Sequence, residues 1–416
     1  MKIEQITNDE FNLFTSTYPI YSLYQTTEYA LTLNKENFDT ILIGLRNESN
    51  IIIAATILLI EKDKKNKQAF APRGFLLDYQ DSNLLKIFTK EIKKYLNNLG
   101  IISVILNPMI VKATYDMKIK KMTKNNYYDI IFDNLKSLSY HHLGYNNYFE
   151  GIKPRFVALI NIEKPYYMIF KGINKEYRTK IRSASKNGVE IYLGSEENLD
   201  FLYLQTKRKY PRDLNYFKNI YNYFKRNNNA ELFYAKINTN TYLRQIQNEY
   251  NKENTKVLEL LELINNEPEN RTKYIEEKIK QDKILNQKKS ELVNATRLIN
   301  QYPNGIIAAS ALIIKNKKEV TLLMDGYDPK FKRFNAKHLL IWKLLEKYSN
   351  EGYSIFNLGG VTNPTLKDNK YQGLNNFKIG FGSTIVEYIG DLELITNKPL
   401  YLLEKSKLSI PNILKK

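Results

Sequence analysis

The 416-residue sequence contains no cysteine, only three histidines and a single tryptophan. Without cysteine there can be no disulfide framework, thiolate zinc site, iron–sulfur cluster or cysteine nucleophile. The chain therefore neither needs an oxidising compartment nor suffers in a reducing one. The histidines are His141, His142 and His338. A histidine metal site would have to recruit the adjacent pair, whose side chains diverge on a strand and stand about 100° apart on a helix. No metal site is expected. Phosphate-binding fingerprints are missing too: there is no Walker A sequence and no G-x-G-x-x-G after a strand. Gly380-Phe381-Gly382 offers two glycines without the third, which reads as a turn or bulge, so no nucleotide cofactor is expected. Long apolar runs are also absent. The longest, Ile51 to Ile60, is far short of a membrane span and reads as a buried strand. Residues Met1 to Glu10 lack the apolar core of a signal peptide. The expectation is a soluble, cytoplasmic protein.

What is abundant is positive charge, with 63 Lys and Arg against 44 Asp and Glu, a formal net charge of +19. An excess of that size points to an anionic partner: nucleic acid, a phosphorylated substrate or an acidic membrane surface. A hydrophobic content of 43%, with 12% aromatic, is enough for real cores and excludes wholesale disorder. The 32 Tyr and 19 Phe accompany many Lys, Asn and Ile, as AT-biased coding produces, and their number alone carries no functional weight.

The length favours two or three units. Phe38–Leu45 and Asn50–Lys62 read as antiparallel strands about a polar turn, and Ala69–Leu77 carries Pro72-Arg73-Gly74 in a turn. Leu84–Leu99 has helical spacing, and Ile101–Leu106 is a strand ending at Asn107-Pro108. A second unit begins near Pro154, with strand Arg155–Ile162, helix Tyr166–Lys186 and strand Val189–Leu193. Strands and helices so mixed predict an α/β or α+β architecture.

Between Tyr242 and Asn300 there is no glycine, and the one proline, Pro268, lies near the middle. Ile246, Tyr250, Val257, Leu261 and Ile264 on one side, and Leu285, Leu292 and Ile299 on the other, form two heptad-like seams. The pattern predicts an antiparallel coiled coil turning at Pro268. Its charges nearly cancel, so the positive excess lies elsewhere. Strands Ile306–Ile314 and Val320–Met324, helix His338–Tyr348, strand Ser354–Leu358 and a Gly359–Gly360 turn follow. The arm is thus an insertion, and the two units should fold without it.

Three clusters carry candidate chemistry. Lys171 to Lys186 holds six bases and one acid, and on a continuous helix Lys171, Lys175, Arg178 and Arg182 share a face. That is either a solvated face or a phosphate-contacting stripe, with Lys180 beside it. Lys207-Arg208-Lys209-Tyr210-Pro211-Arg212-Asp213 precedes the helix Leu214–Arg226, where an arginine can hold an anion or pair with Asp213. Phe377-Lys378 sets one lysine among apolar and small residues, either snorkelling or held in a site.

These pieces, in this order, resemble the Fem family of peptidoglycan-bridge aminoacyltransferases over nearly the whole chain. The likeness rests on Phe70-Ala-Pro-Arg73-Gly74 through Tyr79, Lys153-Pro-Arg155, Tyr177-Arg178-Thr-Lys180-Ile-Arg182, Arg212-Asp-Leu-Asn-Tyr216-Phe217, and Ala230-Glu231-Leu232-Phe233. It continues after the helical arm with Leu358-Gly359-Gly360, Tyr371 to Lys378, Glu387-Tyr388-Ile-Gly390 and Asn397 to Tyr401. The resemblance implies two halves like GNAT acyl-CoA N-acyltransferases, with the coiled-coil arm inserted in the second. Residues 1–153, completed by 379–416, would form the first half; 154–241 and 301–378 the second; 242–300 the arm. It also implies transfer of an amino acid from aminoacyl-tRNA to the stem peptide of a peptidoglycan precursor, usually lipid II, with no cofactor. Peripheral contact with the inner membrane face and pairing with itself or a homologue fit such a substrate.

Carried over residue by residue, Arg212 would hold a diphosphate oxygen, with Tyr216 in the same motif, and Lys378, preceded by Phe377, would support the transfer step. Arg178, Lys180 and Arg182 join the substrate-binding set. The family's lysine seven residues beyond the N-terminal glutamine is absent: Thr32 stands there, and Lys35 is the nearest base. The carboxylate often found before the proline after strand Ile101–Leu106 is replaced by Asn107. An aminoacyl ester is already activated, so orientation and stabilisation of the developing oxyanion cover most of the chemistry. The alternatives are a GNAT-like acyl-CoA N-acyltransferase, disfavoured by the missing glycine-rich loop, and a basic RNA-binding or coiled-coil scaffold.

Overall fold

The computed structural model describes residues 1–62, 67–116, 120–207 and 212–415. Arg208 to Pro211 of the second basic cluster lie outside the described residues. The strands are β1 (Lys2–Gln5), β2 (Phe38–Arg46), β3 (Ile52–Glu61), β4 (Lys67–Ala71), β5 (Ile101–Leu106), β6 (Val111–Asp116), β7 (Lys121–Lys124), β8 (Tyr140–His142), β9 (Phe156–Asn161), β10 (Val189–Gly194), β11 (Ala230–Ile237), β12 (Ile306–Asn316), β13 (Glu319–Tyr327), β14 (Ile355–Val361), β15 (Thr384–Tyr388) and β16 (Leu392–Ile395).

They form two sheets, ordered β1-β2-β3-β4-β5-β16-β8 and β10-β11-β12-β13-β14-β9-β15-β6-β7. Each repeats one plan: four successive antiparallel strands, then a crossover helix to a fifth strand parallel to the fourth. The crossover helices are Ser82–Asn98 and Ala336–Asn350. This is the α/β architecture of two GNAT-like halves. The apolar run at Ile51–Ile60 is explained by burial on both faces of β3. Ala54, Leu58 and Ile60 pack under the helix Ser82–Asn98, while Ala55, Ile57 and Leu59 face the other half. That second layer also takes Phe217, Ile220 and Phe224 and, from the second sheet, Leu312, Ile314 and Met324. The halves therefore share a core.

They also exchange strands. β16, from the C-terminal region, fills the space between β5 and β8 in the first sheet. In return β6 and β7 extend the second sheet through β15. β6 and β7, from 1–153, and β15, from 379–416, thus pair in the second sheet, while β16, also from 379–416, pairs in the first.

The arm is a helical hairpin, Thr239–Asn266 and Arg271–Gln301, turning at Pro268. Ile246 and Val257 are buried in its seam, but Leu261 is 39% exposed and faces outward. Polar pairs fill much of the contact: Gln281 donates to Glu253 Oε2 at 2.6 Å and Lys288 to Glu249 Oε2 at 2.8 Å.

The expected helix Tyr166–Lys186 is two helices, Tyr166–Gly172 and Lys175–Lys186. Ile173 and Asn174 are extended between them, both with ψ 145°. A tertiary bond fixes the break, the Asn174 N–H donating to the Gly380 carbonyl at 2.9 Å. Lys171 consequently sits on a different helix from Lys175, Arg178 and Arg182, and the four-residue stripe does not form.

Candidate active site

The two parallel strand pairs aim their carboxyl ends at one place. In the first half β4 and β5 stay paired to Ala71 and Leu106, and the chain beyond them supplies Arg73 and Met109. In the second half β13 and β14 pair only from Glu319–Thr321 to Ile355–Asn357 and then splay apart. A gap outside the carboxyl ends of parallel strands is where α/β sheets bind ligands. Here it is an open cavity of about 970 Å³, mouth included, walled by Thr321–Asp325 and Asn357–Gly360 and closed by Tyr24, Arg73, Arg212 and Lys378.

The wall depends on two glycines. Gly359 has φ +79°, a left-handed conformation that side chains disfavour. A Cβ on Gly360 would fall 2.4 Å from the Pro154 ring. Both lie in the β14 bulge, so the expected turn is a kink within a strand. Lys378, in the last turn of helix Gln372–Gly380, is 9% exposed and donates to the Gly360 carbonyl at 2.7 Å.

Arg212 reaches the same cavity from the start of helix Leu214–Lys225, whose N-terminus Asp213 caps through the Tyr216 N–H at 2.8 Å. Its guanidinium lies 4.7 Å from the Tyr216 ring centre and donates to the Ile413 carbonyl at 3.1 Å. Tyr216 is a buried platform beneath it and does not line the cavity.

The remaining predicted residues lie apart from the cavity wall. Lys35 is exposed at the end of helix Thr27–Lys35, and Thr32, in the expected lysine position, is buried and donates to the Glu28 carbonyl. Arg178 holds the carbonyls of Lys171 and Ile173 at 2.9 and 2.8 Å, which fastens the helix break. Arg182 is exposed, 5.4 Å from the Phe170 ring centre. Lys180 pairs with Glu176 at 2.5 Å and lines a second cavity with Tyr177, Lys332, Lys337, His338 and Phe377. Leu374 borders both cavities, and the neighbours Phe377 and Lys378 take one each. Phe377 belongs to an aromatic group with Tyr177, His338 and Phe381 and carries the Lys337 ammonium 4.3 Å from its ring centre. Burial, helped by Lys180 and Lys337, lowers His338 to about 4, so its ring is neutral near pH 7.

Several further residues lie on or behind the wall. Arg73, 6% exposed, donates Nη2 to the Pro154 carbonyl at 2.7 Å, while its Nη1 has no hydrogen-bond partner among the described residues. Its guanidinium lies 4.5 Å from the Tyr388 ring centre, and burial lowers its pKa. Lys153 is 2% exposed with Nζ 3.9 Å from the Tyr24 ring centre and no hydrogen-bond partner among the described residues. Burial first, then the charges of Arg212 and Arg73, hold it well below the ordinary lysine pKa. Asn107 is structural: its Oδ1 accepts the Arg73 N–H at 2.9 Å and its Nδ2 donates to the Lys153 carbonyl at 3.2 Å. Two carboxylates line the cavity, Glu319 and Asp325, and Asp325 is ion-paired with Lys337. A signal for Arg73 existed in its Pro-Arg-Gly turn. Glu319 follows Asn316-Lys317-Lys318 and reads as ordinary turn charge.

The FemAB family profile matches residues 6–406. The chain belongs to the FemAB family. It is similar to the aminoacyltransferase FemA of Staphylococcus aureus, 26% identical over 412 residues that cover 96% of this chain and 97% of that protein. Its fold matches the crystal structure of FemX with a TM-score of 0.74 at 22% identity, covering 97% of this chain and 99% of that one. Membership in the FemAB family agrees with the resemblance read from the motifs. No described helix is long and apolar enough to cross a membrane, and no described group of His, Asp and Glu could hold a metal.

Proposed function

We propose that the interdomain cavity transfers an amino acid from aminoacyl-tRNA to an amine on the stem peptide of a peptidoglycan precursor, building the cross-bridge of the bacterial cell wall. The observation that carries this reading is the meeting of Arg212 and Lys378 on one cavity where β13 and β14 part, in a FemAB chain similar to aminoacyltransferases. Arg212, presented on the Tyr216 ring, holds the diphosphate of a lipid- or nucleotide-linked acceptor through charge-assisted hydrogen bonds. The donor's acceptor end enters through the second cavity, where Lys180, Lys332 and Lys337 face phosphate and Phe377 offers a ring for a base. Lys378 stands on the partition, its ammonium directed at the acyl oxygen as negative charge develops there.

The ester bond supplies the driving force, so the reaction runs without a cofactor. Purified protein with a lipid-linked or nucleotide-linked precursor and a panel of charged tRNAs should yield precursor heavier by one amino-acid residue. Transfer from acyl-CoA in place of tRNA would favour an ordinary GNAT activity. Tight retention of tRNA with no product under any condition would favour an RNA-binding scaffold.

A further inference from the structure

An amine that attacks an ester must give up a proton, and neither Arg212 nor Lys378 offers an acceptor, since both side chains only donate. We propose that Glu319 is the catalytic residue that takes this proton. The assignment rests on the aminoacyl-transfer reading and adds the missing base to it.

Four observations converge on this side chain. Glu319 opens β13 two residues before Thr321, where pairing with β14 ends, and its carboxylate reaches that point through bonds from Thr321 and Asn357. Of the two carboxylates on the cavity wall, Asp325 is ion-paired with Lys337, whereas Glu319 has no ion-pair partner among the described residues. Its Oε1 accepts from Thr321 Oγ1 and Asn357 Nδ2, both at 2.9 Å, which fixes the carboxylate plane and leaves Oε2 for another donor. The same short segment of β14 orients Lys378. Asn357 Oδ1 takes the Gly359 N–H at 2.7 Å, and the Gly360 carbonyl takes Lys378 Nζ at 2.7 Å. One kinked strand thus holds a base and an ammonium in the same cavity.

The environment suits a base. Burial raises the Glu319 carboxyl above its ordinary value, against the pull of the bonds from Asn357 and Thr321 and of the Arg73 charge. The other titratable groups facing it are Tyr24 and Tyr388, both pushed up to about 12 by burial and therefore neutral. A carboxylate of raised affinity accepts a proton more readily.

The step balances without an added reagent. The amine nitrogen attacks the ester carbonyl carbon, forming the C–N bond and placing negative charge on the acyl oxygen beside Lys378. The nitrogen's extra proton passes to Glu319. As the bond from carbonyl carbon to ribose oxygen breaks, protonated Glu319 returns that proton to the ribose oxygen. The products are an amide and a free tRNA hydroxyl, and the carboxylate is restored.

The test is single-turnover transfer by Glu319→Gln, which keeps an oxygen for Thr321 and Asn357 but cannot accept a proton. The rate with both substrates saturating should fall on the order of a hundredfold or more, with acceptor affinity within threefold of wild type. The wild-type pH–rate profile should contain an acid-side ionisation that the variant lacks. A second acceptor, carrying an aminooxy group whose nitrogen, once it has attacked, is acidic enough to lose its extra proton to water, should restore most of the rate to the variant. A merely structural role would slow both acceptors alike and leave the profile's shape unchanged. If Glu319→Gln melts early, the wild-type profile with the two acceptors decides: the extra ionisation must disappear with the aminooxy nucleophile. Near-normal turnover in a folded variant, or identical profiles, overturns the assignment while leaving aminoacyl transfer intact. Absence of any transfer by wild type overturns the functional reading and the assignment with it.

Discussion

Arg212 acts by holding substrate, and its loss should be visible in affinity. One charge-assisted contact is worth about 1.5–3 kcal/mol, roughly ten- to hundredfold. Calorimetry with a soluble nucleotide-linked precursor should show that loss for Arg212→Ala, with the saturated transfer rate little changed. Unaltered affinity would reduce Arg212 to its bond with the Ile413 carbonyl. Asp391 offers a separate residue-level test. Burial raises its carboxyl from 3.8 to about 6, opposed by the Ile152 N–H at 3.0 Å from Oδ2. The folded state therefore binds this proton more tightly than the unfolded chain does. Stability from this group is lost as pH rises from about 4 to about 6. Urea unfolding should show wild type gaining on Asp391→Asn between pH 7.5 and pH 4.5, by of order 2 kcal/mol. Equal differences at both pH values would contradict the raised carboxyl. Arg212 and Lys378 were legible in the sequence because each lies in a short motif with its own neighbours. Glu319 was not, because its chemistry comes from strand pairing and burial, which no local spacing records; Arg73 and Lys153 stood in short motifs, but the burial that shapes their chemistry left no mark there.

Among elements, the arm and the strand ends were the most readable, since a seven-residue repeat and a Pro268 turn are local signals. The break at Ile173–Asn174 was not, because the Gly380 carbonyl that fixes it comes from far along the chain. Nor was the arm's attachment. Its roots contribute Tyr242, Ile246 and Ala295 to the second core, with Tyr242 4.9 Å from Phe334 ring to ring. Glu249 also bridges Lys186 and Lys288, at 2.7 and 2.8 Å, just beyond those roots. The two possible excisions should therefore differ. Replacing residues 251–289 with a Gly/Ser link should leave a cooperatively melting protein. Replacing 242–300 deletes three buried core side chains and should lower stability by several kcal/mol. Equal melting curves for the two would show that the roots are not part of the core.

The whole molecule is two halves that cannot be cut apart at one point, because β16 completes the first sheet and β6 with β7 extends the second. Alternating apolar patterns revealed the strands but not their partners, since pairing between distant strands leaves no periodicity behind. One consequence is cooperative unfolding. Trp342, the single tryptophan, is buried in the second half 4.7 Å from the Phe170 ring centre. Its fluorescence should lose native character at the same urea concentration as the circular dichroism of the whole chain. Two separated transitions would mean that the halves are independent.

The shared cavity is the consequence that bears on function, because it puts groups from both halves and from the C-terminal region around one reacting centre. The most direct test is single-turnover transfer from charged tRNA to precursor, both saturating, by wild type and Lys378→Met. Methionine keeps most of the lysine's length and apolar stem, so the bond to the Gly360 carbonyl is lost while the helix Gln372–Gly380 should persist. Wild type should form the peptide bond, and the variant should be slower by about a hundred- to a thousandfold with a near-normal melting curve. Near-normal transfer by well-folded Lys378→Met would contradict the account and place the reacting centre elsewhere.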